Sequence, residues 1–85
     1  MASYSVFIKP SAVKELEAVP TRDRQRIARR IQGLGDDPRP SGTEKLSGLD
    51  RHRLRQGNYR IIYAIEDDRL VVLVVRIGHR RDVYG

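Results

Sequence analysis

The sequence predicts an α+β domain in which a helical hairpin packs on one face of a mainly antiparallel sheet. Three observations carry this: an alternating segment near the N-terminus, two consecutive segments with helical spacing, and three apolar segments separated by tight-turn signals. With 85 residues there is room for one hydrophobic core, so residues 1–85 read as a single domain.

From Ser3 to Ile8, Tyr4, Val6 and Ile8 fall on one side and Ser3, Ser5 and Phe7 on the other, the period of a half-buried strand. Pro10 suits the first turn of a helix, and Ala12, Val13, Leu16 and Val19 recur at helical spacing before Pro20 ends the segment. Thr21 is the expected N-cap of a second helix, Arg22 to Leu34, whose stripe is Ile27, Ile31 and Leu34 with Ala28 beside it. Gly35 to about Gly48 is rich in Gly, Pro, Asp and Ser and has no period, so a long loop is expected. Three strands follow: Arg51 to Gln56, Tyr59 to Ile65 and Leu70 to Ile77. Gly57-Asn58 marks the first turn of an antiparallel meander and Asp67-Asp68 the second. Leu70 to Val75 is apolar at every position, which predicts a strand covered on both faces. Gly78 to Gly85 is left as a tail.

Composition narrows the function. Cysteine is absent, which excludes disulfides, a cysteine nucleophile and thiolate metal sites. The two His and scattered carboxylates show no ligand spacing, so neither metal nor cofactor is expected. No apolar run approaches the ~20 residues of a bilayer span and the N-terminus lacks the pattern of a secretion signal, so a cytoplasmic protein without membrane contact is expected. Lys and Arg number 17 against 11 acidic residues, a formal charge of +6. Fourteen of those cations are Arg, whose planar fork of donors suits phosphate oxygens and base edges.

The arginines are also placed. Strand alternation gives Arg51, Arg53 and Arg55 one face, and a two-residue turn at Gly57-Asn58 pairs Arg55 with Arg60 on that same face. His52 goes to the opposite, helix-covered face. Like charges directly opposite one another are destabilising, so an anion is the natural occupant of the arginine side. At the chain's end GHRRDVYG sets His79, a potential acid or base, beside Arg80 and Arg81, with Tyr84 one helical turn on. Metal-free ribonuclease chemistry needs these tools: a proton acceptor for the 2′-hydroxyl, cations for the phosphorane, and a donor for the leaving oxygen.

KLSGL at Lys45 to Leu49, GNYRIIYAI at Gly57 to Ile65, the LVVLVV strand and the terminal RIGHRRDVY, in that order, resemble the RelE/ParE superfamily of toxin-antitoxin toxins nearly end to end. The resemblance implies one of two activities: ribosome-dependent cleavage of messenger RNA, as in the RelE-type branch, or inhibition of DNA gyrase, as in the ParE-type branch. The RelE-type site uses basic residues on the strand before the YR motif, the Arg of YR, an Arg after the Gly of the last strand, and a Tyr near the C-terminus. These fall on Arg51 and Arg53, Arg60, Arg80 and Tyr84, and so favour the ribonuclease.

The expected site therefore has Arg60, Arg80, His79 and Tyr84 as catalytic residues and Arg51, Arg53, Arg55 and Arg81 as substrate-binding residues. RelE-type enzymes can carry Lys on the early strand, where an amine can act as base; Arg51 and Arg53 cannot, because a guanidinium stays protonated. His79 is the base expected instead, its cationic neighbours favouring the neutral imidazole. The resemblance further implies a RelB-like antitoxin in a hetero-oligomer, with ribosome and messenger RNA as partners. A gyrase-directed toxin of the same fold and a non-enzymatic nucleic-acid-binding module are the alternatives.

Overall fold

In the computed structural model, which describes residues 3–48 and 50–81, seven elements follow one another: β1 (Ser5–Ile8), α1 (Pro10–Glu17), α2 (Thr21–Gly33), β2 (Thr43–Lys45), β3 (His52–Gln56), β4 (Tyr59–Glu66) and β5 (Val71–His79). The strands form one sheet in the order β1-β5-β4-β3-β2, with β1 parallel to β5 and every other pair antiparallel. Both helices lie on one face. Ala12 from α1, Val19 from the turn between the helices, and Ile27 and Ile31 from α2 pack on Leu54, Ile61, Tyr63, Ile65, Val72, Val74 and Ile77.

The turn signals set the register as expected: Gly57, at φ 59°, and Asn58 close a two-residue turn that leaves Gln56 opposite Tyr59 and Arg55 opposite Arg60. Gly35 is needed for close approach. Its carbonyl takes the Tyr4 N–H at 2.7 Å, and a Cβ there would stand 3.1 Å from the Tyr4 carbonyl oxygen.

Four features differ from the sequence expectation. Thr21 is the first residue of α2 rather than its cap. Pro20 holds the extended cap position, and the Thr21 hydroxyl accepts a bond from Arg24 instead. The long loop contains a strand, β2, which pairs Thr43 with Leu54, Glu44 with Arg53 and Lys45 with His52. Strand β5 is covered fully on one face and only in part on the other: Leu73 and its neighbour Phe7 are 37% and 56% exposed on the side away from the helices, where Val75 packs against Ile62 and Leu46. The same strand runs on to His79, so Gly78 and His79 belong to the sheet and not to a tail.

A bulge in β5 governs where its last residues point. Ile62 pairs with Arg76 and Tyr63 with Val74, which leaves Val75 unpaired and inverts the alternation beyond it. Ile77 thereby joins Val72 and Val74 in the core, and Arg76 escapes it to pair with Glu15 at 3.7 Å. Because β1 ends at Ile8, this part of β5 is a free edge, and Glu15 Oε1 accepts the Ile77 N–H at 3.0 Å. At the other end of the sheet, Arg39 and the Tyr4 hydroxyl both donate to Asp67 and tie the Pro-rich loop to the β4–β5 turn. Arg39 first, then Tyr4, hold the Asp67 carboxyl down at about 2.

Candidate active site

The open face of the sheet gathers the arginines. Arg53 and Arg55 project there from β3 and Arg60 from β4, because their neighbours Leu54 and Ile61 point into the core. Arg60 stands opposite Gly78, so no side chain from β5 fills the space across from it. The Arg80 N–H donates to the Asn58 carbonyl at 2.8 Å, which extends the β4–β5 ladder past Tyr59 and His79 and brings a fourth guanidinium to the group. Burial first, then the charges of Arg55, Arg53 and Arg80, push Arg60 below the ordinary guanidinium value, and Glu44 opposes them. It remains a cation. Four positive charges with one opposing carboxylate make a seat for a phosphate or another anion.

The other expected residues are placed differently. Arg51 precedes β3, and its guanidinium donates to the Asp50 carbonyl at 3.4 Å instead of extending the row. Arg81 is exposed, and its backbone N–H donates to His79 Nδ1 at 3.3 Å. The bulge turns His79 to the helix side of the sheet, away from the guanidiniums. There its ring meets Tyr59 edge-on at 5.7 Å and lines a cavity of about 300 Å³ with Glu15, Ala18, Val19, Arg76 and Ile77. Tyr84 lies outside the described residues. His52 is 7% exposed on the helix side, as alternation predicts, stacked on Tyr63 at 5.6 Å; burial first and then Arg39 lower its pKa.

The residue that sequence reasoning missed is Glu44. Its Oε2 is 3.1 Å from Arg53 Nη2, with the carboxylate side chain 69% exposed. Its strand is three residues long, too short for a period, and β-branched Thr43 ahead of Leu46 is the only local signal. Among the described residues no three His, Asp or Glu side chains come together as metal ligands do.

A helical hairpin on one face of a mixed five-stranded sheet is the fold that this chain shares with solved RelE structures. The chain belongs to the ParE toxin family of type II toxin-antitoxin systems, whose family model matches residues 6–84. It is similar to a RelE-like toxin protein of Escherichia coli, 31% identical over 88 residues that cover 96% of this chain and 90% of that one. It is also similar to the mRNA interferase toxin RelE of Escherichia coli K12, at 26% identity over 98% of this chain and 92% of the relative. The archaeal RelE-RelB complex from Pyrococcus horikoshii superposes with a TM-score of 0.84 at 28% identity, over 95% of this chain and 99% of that one. Fold and relatives together make this a toxin of RelE type.

Proposed function

We propose that the chain cleaves messenger RNA on the ribosome, without a metal, by letting the substrate's own 2′-hydroxyl attack the adjacent phosphorus. The observation that carries this reading is the position of Arg60, flanked by Arg53, Arg55 and Arg80 and facing the empty side of Gly78. Such a group neutralises the charge that accumulates on a pentacoordinate phosphorane, and preorganised cations are the largest single contribution an enzyme of this kind supplies. Arg53 and Arg60 hold the phosphate, and Arg80 meets the developing charge. Tyr84, which the resemblance counts among the site residues, stacks on or orients a base. Arg55 and Arg81 extend the basic surface toward RNA. Proton transfer is not given to His79, whose ring stands on the far side of β5. A relative named as an mRNA interferase supports the same activity.

The partner in the resting state is a RelB-like antitoxin, as in the Pyrococcus complex. The open face offers it exposed Phe7 and Leu73 on the same side of the sheet as the arginine seat, a surface matched by an acidic segment with apolar residues.

Cell-free translation tests the reading. Primer extension should reveal new 5′ ends on translated messenger RNA with the wild type and none with Arg60→Ala, while purified gyrase supercoils DNA undisturbed. Uncut message together with trapped gyrase-DNA complexes would replace it with the gyrase reading.

A further inference from the structure

The arginine seat supplies charge but nothing that can take a proton, since guanidiniums stay protonated at working pH. A 2′-hydroxyl attack needs such a group within hydrogen-bond reach of the ribose next to the seated phosphate. We propose that Glu44 is that group, a role that rests on the ribonuclease reading above.

Register and alternation put it there. Glu44 pairs with Arg53 across β2 and β3, so its side chain shares the open face with Arg53, while Thr43 and Lys45 point to the helix side, Thr43 within 3.1 Å of the Tyr63 hydroxyl. The charged groups that face it are Arg53 from β3 at 3.1 Å and Arg60 from β4, whose charge it offsets. Arg55 lies two residues along β3 from Arg53, Arg80 lies beyond Arg60, and among the described residues β2 is the edge of the sheet. Three carboxylates are engaged elsewhere: Glu15 with the Ile77 N–H and Arg76 at the free edge of β5, Glu66 with Arg69 at the far end of β4, and Asp67 with Arg39. Glu44 is also exposed, so a phosphate arriving at Arg53 can displace the carboxylate toward the adjoining ribose without breaking any packing.

In the step itself, the 2′-O–H proton passes to a Glu44 carboxylate oxygen as the 2′-oxygen forms its bond to phosphorus. The bond from phosphorus to the 5′-oxygen breaks, its electron pair leaves with that oxygen, and water protonates it. The resulting hydroxide takes the proton back from Glu44. The products are a 2′,3′-cyclic phosphate and a 5′-hydroxyl, with no co-reactant consumed.

Single-turnover cleavage on programmed ribosomes tests the assignment with wild type, Glu44→Gln and His79→Gln, all checked for the native circular dichroism spectrum. Binding is measured in parallel with a messenger RNA carrying a 2′-deoxynucleotide at the cut site. Glu44→Gln should cleave about 100-fold or more slowly, as loss of a general base does. It should bind the deoxy message as tightly as wild type or more so. His79→Gln should keep the wild-type rate. A Glu44→Gln enzyme with the wild-type rate, or a slower one that binds the deoxy message correspondingly more weakly, overturns the assignment and leaves Glu44 as a counter-ion to Arg53. A loss of rate in His79→Gln equal to that in Glu44→Gln overturns it as well. If the wild type cuts no message, the ribonuclease reading falls and this one with it; if the wild type cuts and Glu44→Gln is unimpaired, only the assignment fails.

Discussion

Arg60 and His52 sit on adjacent strands of one sheet and show how alternation separates function from structure at the level of single residues. Arg60 is half-buried among like charges on the open face, an arrangement that costs the free protein stability and is repaid when an anion arrives. Arg60→Ala and Arg80→Ala should each relieve growth inhibition and slow cleavage about 100-fold, with the fold intact. Equal toxicity at equal expression would remove both from the site. His52, on the other face, is held neutral by burial and then by Arg39, so its folded pKa lies below that of the unfolded chain, near 6.5. As pH falls below about 6.5 the unfolded chain takes up the proton first. The associated stability is therefore complete above that value and declines until the lowered folded pKa is reached. Urea midpoints at pH 7.5 and 5.5 should differ for the wild type, and His52→Phe, which keeps a ring on Tyr63 and cannot titrate, should shrink the difference.

Among the elements, the β4–β5 turn carries the clearest local strain. Leu70 has φ 53°, the only positive value at a described residue other than glycine, and it is exposed, so no packing requires a leucine there. A left-handed conformation costs a Cβ-bearing residue about 1–2 kcal/mol, and Asn least among them. Leu70→Asn should stabilise the protein by up to about 1 kcal/mol and β-branched Leu70→Val should destabilise it by a similar amount, read as opposite shifts in the urea midpoint. If both variants shift the midpoint in the same direction, side-chain contacts rather than backbone strain govern the position. The strained residue was invisible in the sequence because Leu70 opens an apolar run and reads as strand. The long elements were legible: two helices and the β3–β4 hairpin follow from apolar period and from Gly57-Asn58. Strand β2 was not, since three residues carry no period, and with it Glu44 was lost from the site. The β5 bulge was hidden as well. Unbroken alternation from Val71 would set His79 on the same face as Leu73, and only the unpaired Val75 turns it away from the arginines. Four of the expected site residues, Arg53, Arg55, Arg60 and Arg80, do converge, because a two-residue turn leaves no freedom in the β3–β4 register.

Over the whole molecule the same asymmetry appears as a charge distribution. The formal charge is +6, the helices cover one side of the sheet, and the other side carries both the arginine seat and exposed Phe7 and Leu73. A ligand that binds only the folded state stabilises it by RT ln(1 + [L]/Kd), which at ten times Kd is about 1.4 kcal/mol and raises the melting temperature of a domain this size by roughly 6–11 °C. Inorganic phosphate should thus raise Tm beyond the rise produced by sodium chloride of equal ionic strength, because chloride screens the repulsion but cannot accept a bidentate guanidinium pair. Arg60→Ala should behave in two distinguishable ways. At low salt it should melt no lower than the wild type, since it removes repulsion from Arg53, Arg55 and Arg80, and it should lose most of the increment specific to phosphate. Arg22→Ala and Arg29→Ala, on the exposed side of α2, serve as controls of equal charge change and should retain that increment. If Arg60→Ala retains the full phosphate increment, or the α2 variants lose it equally, the anion binds to the protein's net charge and not to the seat formed by β3, β4 and the end of β5.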